Sequence, residues 1–181
     1  SPSDALSTLS SIGEQRPADI APAIDDITPY LDSNLVTARR EAAVCVAHVA
    51  SEAPSDAVGA VPGLTTVIED DAAGLQSAVS ALMNIALAHP DAVTPVADLL
   101  GDVSLDESKS DDVRLYATAA LGRCVEACPS IAVDIIGDIA ALLDAENDHL
   151  RNNAVALLFE VTAIHTDVVE PFVDDIGDVA E

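Results

Sequence analysis

The sequence predicts an all-α fold: an α–α superhelix, or solenoid, of antiparallel helix pairs with about four full repeats. Three observations predict it. Prolines recur at Pro17, Pro54, Pro90 and Pro129, each closing an apolar helical pattern, and Thr166 holds the same place after Ala-Ile-His. The spacings of these anchors are 37, 36, 39 and 37 residues, a period at which each unit is a helix pair too small to bury its own apolar face. Apolar residues also fall into fixed columns counted from the anchors.

The second helix of each unit, B, precedes its anchor; Ala78–Pro90 is the clearest example. Twelve residues before the anchors stand Ala42, Ala78, Ala117 and Ala154. Eight before stand Val46, Leu82, Leu121 and Leu158, and five before stand Val49, Ile85, Cys124 and Val161. These offsets share one face of a 3.6-residue helix. The alanine column suits close approach of a neighbouring helix.

The first helix, A, follows each anchor. Seven residues on come Ile24, Val61, Ala97, Ile136 and Val173; ten on come Ile27, Leu64, Leu100, Ile139 and Ile176. Ser55, Asp91, Ser130 and Asp167, one residue after their anchors, suit the N-cap. Pro22, Pro95 and Pro171, five after, fall in or just inside the first turn, where a deeper position kinks the helix. Pro62 is expected to bend or break the A helix of the second unit.

In these features the chain resembles the HEAT repeat family of armadillo-like solenoids: an A helix with an early proline, an acidic turn, and an arginine opening helix B. Arg39, Arg114 and Arg151 sit fifteen before their anchors, and Asp32 and Asp144 sit seven before an arginine. The resemblance implies an Asp–Arg ladder through these residues. The second unit departs from it, with Leu75 and Gln76 where the arginine belongs.

The expected organisation is a single repeat domain over 1–181, with units at 17–54, 55–90, 91–129 and 130–166 and a half unit at each end. Residues 3–15 read as a lone B-type helix with Leu6, Leu9 and Ile12 on one side. The stretch 103–112 reads as a polar, mobile linker. Residues 167–181 read as an A helix without its B partner, and Asp174, Asp175 and Asp178 could give it a polar outer face.

Half the residues are apolar, yet there are two Phe, two Tyr and no Trp, so the core must be built from Ala, Val, Ile and Leu. Against 32 acidic residues stand 7 basic ones, a net charge of −25, with Lys109 the single lysine. The acids are dispersed through the units, as solvation at high internal salt requires, and this reading points to a haloarchaeal cytoplasm. Nucleic-acid binding is excluded by the lack of a basic patch. No apolar run approaches the roughly 20 residues that span a bilayer, so membrane insertion is not expected. Cys45, Cys124 and Cys128 have no disulfide-framework spacing, and Cys124 reads as a small buried hydrophobe.

No catalytic motif, metal or cofactor emerges. His89, Cys128 and His165 share a column, but neighbouring helices stand about 8–10 Å apart, too far to close on one zinc ion. Acid pairs such as Asp25–Asp26 point in different directions on a helix. The chain is therefore read as a non-enzymatic scaffold for a protein or peptide partner. The resemblance implies that the B helices line a concave face. There the contacts would be Arg40, His48, Asn84, Tyr116, Arg123 and Asn153, with small residues such as Ser80, Ala119 and Ala156 between them. Tyr and Arg are enriched at binding hot spots. The other readings are an enzyme-associated module of the phycobilin-lyase HEAT type, whose shorter repeat fits less well, and an architectural segment of a larger assembly.

Overall fold

The computed structural model describes residues 1–163 and 169–180. Among them there is no strand, and the chain forms two compact units, Ser1–Val93 and Thr94–Glu181. The first contains α1 (Pro2–Gln15), α2 (Pro17–Ile20), α3 (Ile24–Ile27), α4 (Val36–Glu52), α5 (Pro54–Ala57), α6 (Val61–Glu69), α7 (Leu75–Ala88) and α8 (Pro90–Val93). The second contains α9 (Ala97–Leu105), α10 (Asp111–Ala127), α11 (Ala132–Ala141), α12 (Asp148–Thr162) and α13 (Val173–Ala180). Thr166, Asp167 and His165 lie outside the described residues.

The B helices α1, α4, α7, α10 and α12 are single rods. Their three predicted columns are at most 1% exposed throughout α4, α7, α10 and α12. In the first unit α4 packs between α1 and α7; in the second α10 packs on α9 and α12. Helix α1 opens on a capping box. The Ser1 hydroxyl accepts from the Asp4 N–H, and the Asp4 carboxylate reaches back to the Ser1 amino group.

Each described B-to-A joint is one residue long. Arg16, Ala53, His89 and Cys128 have φ of −145°, −131°, −136° and −135° with positive ψ. The following proline keeps them out of the helical region. Their N–H groups donate back to Ile12, Val49, Ile85 and Cys124 at 2.7–2.8 Å, while their carbonyls accept from Asp19, Asp56, Ala92 and Ile131 at 3.0–3.1 Å. One residue thus ends one helix and starts the next. The proline takes the first helical position, where a missing N–H costs nothing. This corrects the N-cap expectation: Ser55, Asp91 and Ser130 stand second in their elements, not before them.

The A elements are interrupted. A 3₁₀ turn at Ala21–Ala23 separates α2 from α3, one at Val58–Ala60 separates α5 from α6, and one at Thr94–Val96 precedes α9. Pro22 and Pro95 sit at the centre of two of these turns. Each removes an N–H from the α-type ladder, and the chain tightens to i→i+3 bonding. Gly59 occupies the equivalent centre in the second repeat. In the fourth repeat the residue there is Asp134, and α11 runs uninterrupted. Pro62, expected to break its helix, instead lies in the first turn of α6, where proline is tolerated.

The column ten after the anchors is at most 8% exposed, including Ile176. The column seven after is buried at Ile24, Val61 and Ala97. In α11, however, Ile135 turns inward and Ile136 is half-buried, and Val173 is 56% exposed. A further buried column lies three after the anchors, at Ile20, Ala57, Val93 and Ala132.

The A-to-B turns differ in how they satisfy the last A carbonyls. Arg39 Nε donates to the Ser33 carbonyl at 3.0 Å, and Arg114 Nε to the Ser104 carbonyl at 2.9 Å. Arg151 Nη1 reaches the carbonyls of Ala145 and Glu146 at 2.6 and 3.0 Å, and its Nη2 pairs with the Asp148 carboxylate. These contacts correct the implied ladder: the arginines hold carbonyls of their own repeat rather than Asp32 and Asp144. The carboxylate nearest Arg39 is Asp70 of the next repeat, at 3.9 Å. In the second unit the Asn147 amide links to the Asp111 carboxylate at 2.8 Å.

The second repeat, which lacks the arginine, caps itself. Ala72 N–H donates to the Val67 carbonyl and Asp71 N–H to the Ile68 carbonyl, both at 3.0 Å, with Asp71 at φ 47°. This is a Schellman motif, which supplies the partners that an arginine supplies elsewhere. The turn ends at Gly74, φ 103°, whose backbone lies directly on α4: a Cβ there would stand 2.9 Å from the Ala43 Cβ and 3.3 Å from the Arg40 Cα.

Half of the stretch 103–112 is helix, so the linker is shorter than expected. Val103 and Ser104 are buried inside α9, and only 106–110 lies between helices. There Ser108 N–H donates to the Asp106 carboxylate, and the Ser110 hydroxyl caps α10.

Two outcomes follow from this packing. Gly74→Ala combines a left-handed backbone with a close contact and should cost about 1–3 kcal/mol in urea denaturation; an unchanged midpoint would contradict the close approach. Burial pushes the Cys45 thiol up to about 12 and the Cys124 thiol up to about 11, so both stay protonated, whereas Cys128 is half-buried. A thiolate-selective reagent should label Cys128 first in the native protein and all three thiols after denaturation; equal native rates would contradict the assigned core.

Candidate partner-binding faces

Because the B helices are regular, residues six, ten and thirteen before each anchor fall on a stripe away from the three core columns. In the first unit this stripe carries His48 on α4 and Asn84 on α7, with Arg40, fourteen before its anchor, beside it on α4. In the second it carries Tyr116 and Arg123 on α10 and Asn153 on α12. Arg40 and Arg123 are exposed; His48, Asn84, Tyr116 and Asn153 are half-buried. Helix α4 packs along α7, so His48 and Asn84, at one register position, stand on neighbouring helices; the same holds for Tyr116 and Asn153 on α10 and α12.

The two guanidinium groups are engaged at short range. Arg40 Nη2 lies 3.0 Å from Glu41 Oε1, and Arg123 Nη1 lies 2.7 Å from Glu126 Oε2. Exposed pairs of this kind contribute about 0–1 kcal/mol, so a carboxylate or carbonyl ligand can exchange for the intramolecular partner. His48 has a packing role as well. A Cβ on Gly13 of α1 would stand 2.6 Å from Ile20 Cδ1 and 3.2 Å from His48 Cδ2, so the imidazole lies close against the α1 backbone there. The sequence stripe did not include Gly13. Its signal is positional: four before the anchor, where later repeats carry Ala50, Ala86 and Val125.

Between these side chains the surface is low, with exposed Ala119 and Ala156 and half-buried Val44 and Ser80. Joint residues contribute a second polar feature: Ser55 Oγ lies 2.7 Å from His89 Nε2, joining successive joints of the first unit.

The A-helix side of the second unit has a different electrostatic character. Burial, then Asp102, then Asp98, hold the Asp138 carboxyl above the usual carboxylate range. Gly101 makes room for it, since a Cβ there would lie 2.8 Å from Asp138 Oδ2. This side repels anions, whereas the B stripe mixes amides, a phenol, an imidazole and guanidinium groups with two carboxylates, Glu41 and Glu160.

Among the described residues no group of three His, Cys, Asp or Glu side chains is placed to hold a metal ion, and no helix is long and apolar enough to cross a membrane. The stripe can therefore offer hydrogen bonds, a stacking surface and two cations to a partner chain.

No protein-family model matches the chain, and no curated protein matches it. Solved structures do. One is the crystal structure of an engineered protein, with a TM-score of 0.76 at 22% identity, covering 98% of this chain and 80% of that one. Another is a designed armadillo repeat protein, with a TM-score of 0.73 at 19% identity, covering 96% of this chain and 81% of that one. At these identities the likeness concerns architecture, and it agrees with the repeat columns: the chain has an armadillo-like, all-α helical repeat fold.

Proposed function

We propose that the protein is a non-catalytic scaffold that binds a protein or peptide partner through the outward stripes of its B helices. Arg40, His48 and Asn84 form the contacts of the first unit, and Tyr116, Arg123 and Asn153 those of the second. The observation that carries this reading is where the scarce cations go. Of six arginines, Arg39, Arg114 and Arg151 hold backbone carbonyls, and Arg16 pairs with Asp19 at a joint. The remaining two, Arg40 and Arg123, stand exposed on B helices, in a chain whose surface is otherwise dominated by carboxylates.

A surface made of packed helices needs little ordering on binding, which favours recognition by shape and hydrogen bonding. The ligand best matched to the stripe is an extended or helical peptide bearing carboxylates or free carbonyls for the guanidinium groups and an apolar side chain for Tyr116. The dispersed acidic surface supports a high-salt working environment, where screening reduces the mutual repulsion of the carboxylates.

The test is affinity capture from a native extract at multimolar salt, comparing the native chain with the Tyr116→Ala, Arg123→Ala double variant. The double variant should lose most of the retained partner while keeping its helical circular dichroism and urea midpoint. Undiminished capture would remove the stripe assignment.

A further inference from the structure

An arginine stands fifteen before the anchor in three repeats, and its guanidinium fork is used differently in each. Arg39 keeps Nη1 3.9 Å from the Asp70 carboxylate. Arg151 commits Nη1 to two carbonyls and Nη2 to the Asp148 carboxylate. Arg114 differs. Its Nε donates to the Ser104 carbonyl at 2.9 Å. Among the described residues, its Nη1 and Nη2 have no hydrogen-bond acceptor and no carboxylate at ion-pair distance. The residue is nevertheless only 8% exposed. A buried guanidinium is costly when its donors lack partners. No sealed side-chain nitrogen or oxygen among the described residues lacks a partner, so both Nη groups reach an opening.

That opening is a cleft of about 470 Å³ within the second unit, lined by Glu107, Asp111, Arg114, Glu146 and Asn147. It lies where two successive A-to-B turns meet. Glu107 belongs to the turn before α10 and Asp111 opens that helix; Glu146 and Asn147 belong to the turn before α12. The Asn147 amide donates to the Asp111 carboxylate at 2.8 Å and ties the two turns together. Its Oδ1 is also used, since it caps α12. Behind Arg114, the Thr118 hydroxyl donates to Ser104 Oγ at 3.3 Å and the Ser104 hydroxyl to the Leu100 carbonyl at 2.8 Å, all of it buried. The arginine is therefore fixed in place before anything binds. Glu107 and Glu146 are exposed, and among the described residues their carboxylates have no partner.

We propose that this cleft binds an extended, basic partner segment, with main-chain carbonyls on the Arg114 fork and lysine or arginine side chains on Glu107 and Glu146. Charge decides the class of ligand. Three carboxylates and one guanidinium line the cleft, so it carries a net two negative charges and disfavours an anion. A simple cation would satisfy the carboxylates and leave the fork of Arg114 empty. A basic peptide supplies acceptors and cations together. The Arg114 fork is well suited to carbonyl oxygens, because its donors are held in one plane. None of the six stripe residues lines the cleft, so this site stands independently of the one on the B helices.

Nitrogen–proton NMR of the full chain at one fixed salt concentration tests this. The probe is a blocked glycine–lysine peptide carrying two lysines. Its addition should shift the Arg114 Nε–H resonance together with the amides of Glu107, Asp111, Glu146 and Asn147. Glu107→Gln with Glu146→Gln, both at exposed positions, should weaken binding roughly tenfold or more. Asp25→Asn with Asp26→Asn removes the same charge from the first unit and should leave the affinity within about twofold. Diaminopentane, a dication without carbonyls, should bind roughly tenfold more weakly than the peptide. Shifts spread over the acidic surface without these five resonances overturn the proposal, as does equal weakening by the two double variants. Diaminopentane binding as tightly as the peptide also overturns it, and so does an Arg114 resonance that moves with acetate but not with the peptide.

Discussion

Close approach of helix backbones is the constraint on which this structure depends. A chain with two Phe, two Tyr and no Trp cannot fill wide gaps between helices, so the helices must come together over small side chains. Ala42, Ala78, Ala117 and Ala154 are fully buried at one register position. Gly13, Gly63 and Gly74 go further, each lying where a Cβ would come within 3 Å of a neighbouring side chain. At Gly74 the need is double, because the backbone is also left-handed. Leu, Ile and Val columns then fill the seams between these contact points.

Close packing leaves the helix ends as the remaining problem, because terminal carbonyls and N–H groups still need partners. The chain solves it locally. The pre-proline joint satisfies one helix end and starts the next with a single residue. At the opposite turns an arginine from the B helix holds the carbonyls in three repeats. In the repeat without that arginine, a Schellman motif at Asp71 does the same task. Arg114 is the most committed of the three: it is buried with Ser104 and Thr118, and Thr118 Oγ1 donates to the Arg114 carbonyl at 2.8 Å. Arginine usage in this protein is thus divided between internal capping at Arg39, Arg114 and Arg151, an exposed ion pair at the Arg16 joint, and two outward B-helix positions at Arg40 and Arg123.

The B helices were legible in the sequence because they are 14–17 residues of uninterrupted α-helix, over which the 3.6 period is well sampled. The A elements were less so. Their 3₁₀ turns change the rotation per residue. The fourth repeat lacks the turn at that place, so an offset shared with the interrupted repeats gave Ile136 where Ile135 is inward, and the pattern omitted the column of Ile20, Ala57, Val93 and Ala132. The N-cap reading of Ser55, Asp91 and Ser130 failed because proline starts the helix one residue sooner. The Asp–Arg reading took the right arginines and the wrong acceptors, since a backbone carbonyl carries no sequence signal. For the stripe, composition and register were readable, whereas the Arg40–Glu41 and Arg123–Glu126 pairs and the seat of His48 on Gly13 needed coordinates.

The account rests on register: within one helix, residues a few positions apart are assigned to core or to surface by their distance from a proline. Helix α7 offers a direct comparison, because Leu82 is fully buried whereas Leu87 is 58% exposed. The most direct measurement is urea denaturation of Leu82→Ala beside Leu87→Ala. Leu82→Ala should lose about 2–5 kcal/mol, the range for emptying a packed site, and Leu87→Ala should lose no more than about 0.5 kcal/mol. Equal losses, or a larger loss at Leu87, would contradict the register and the repeat packing derived from it.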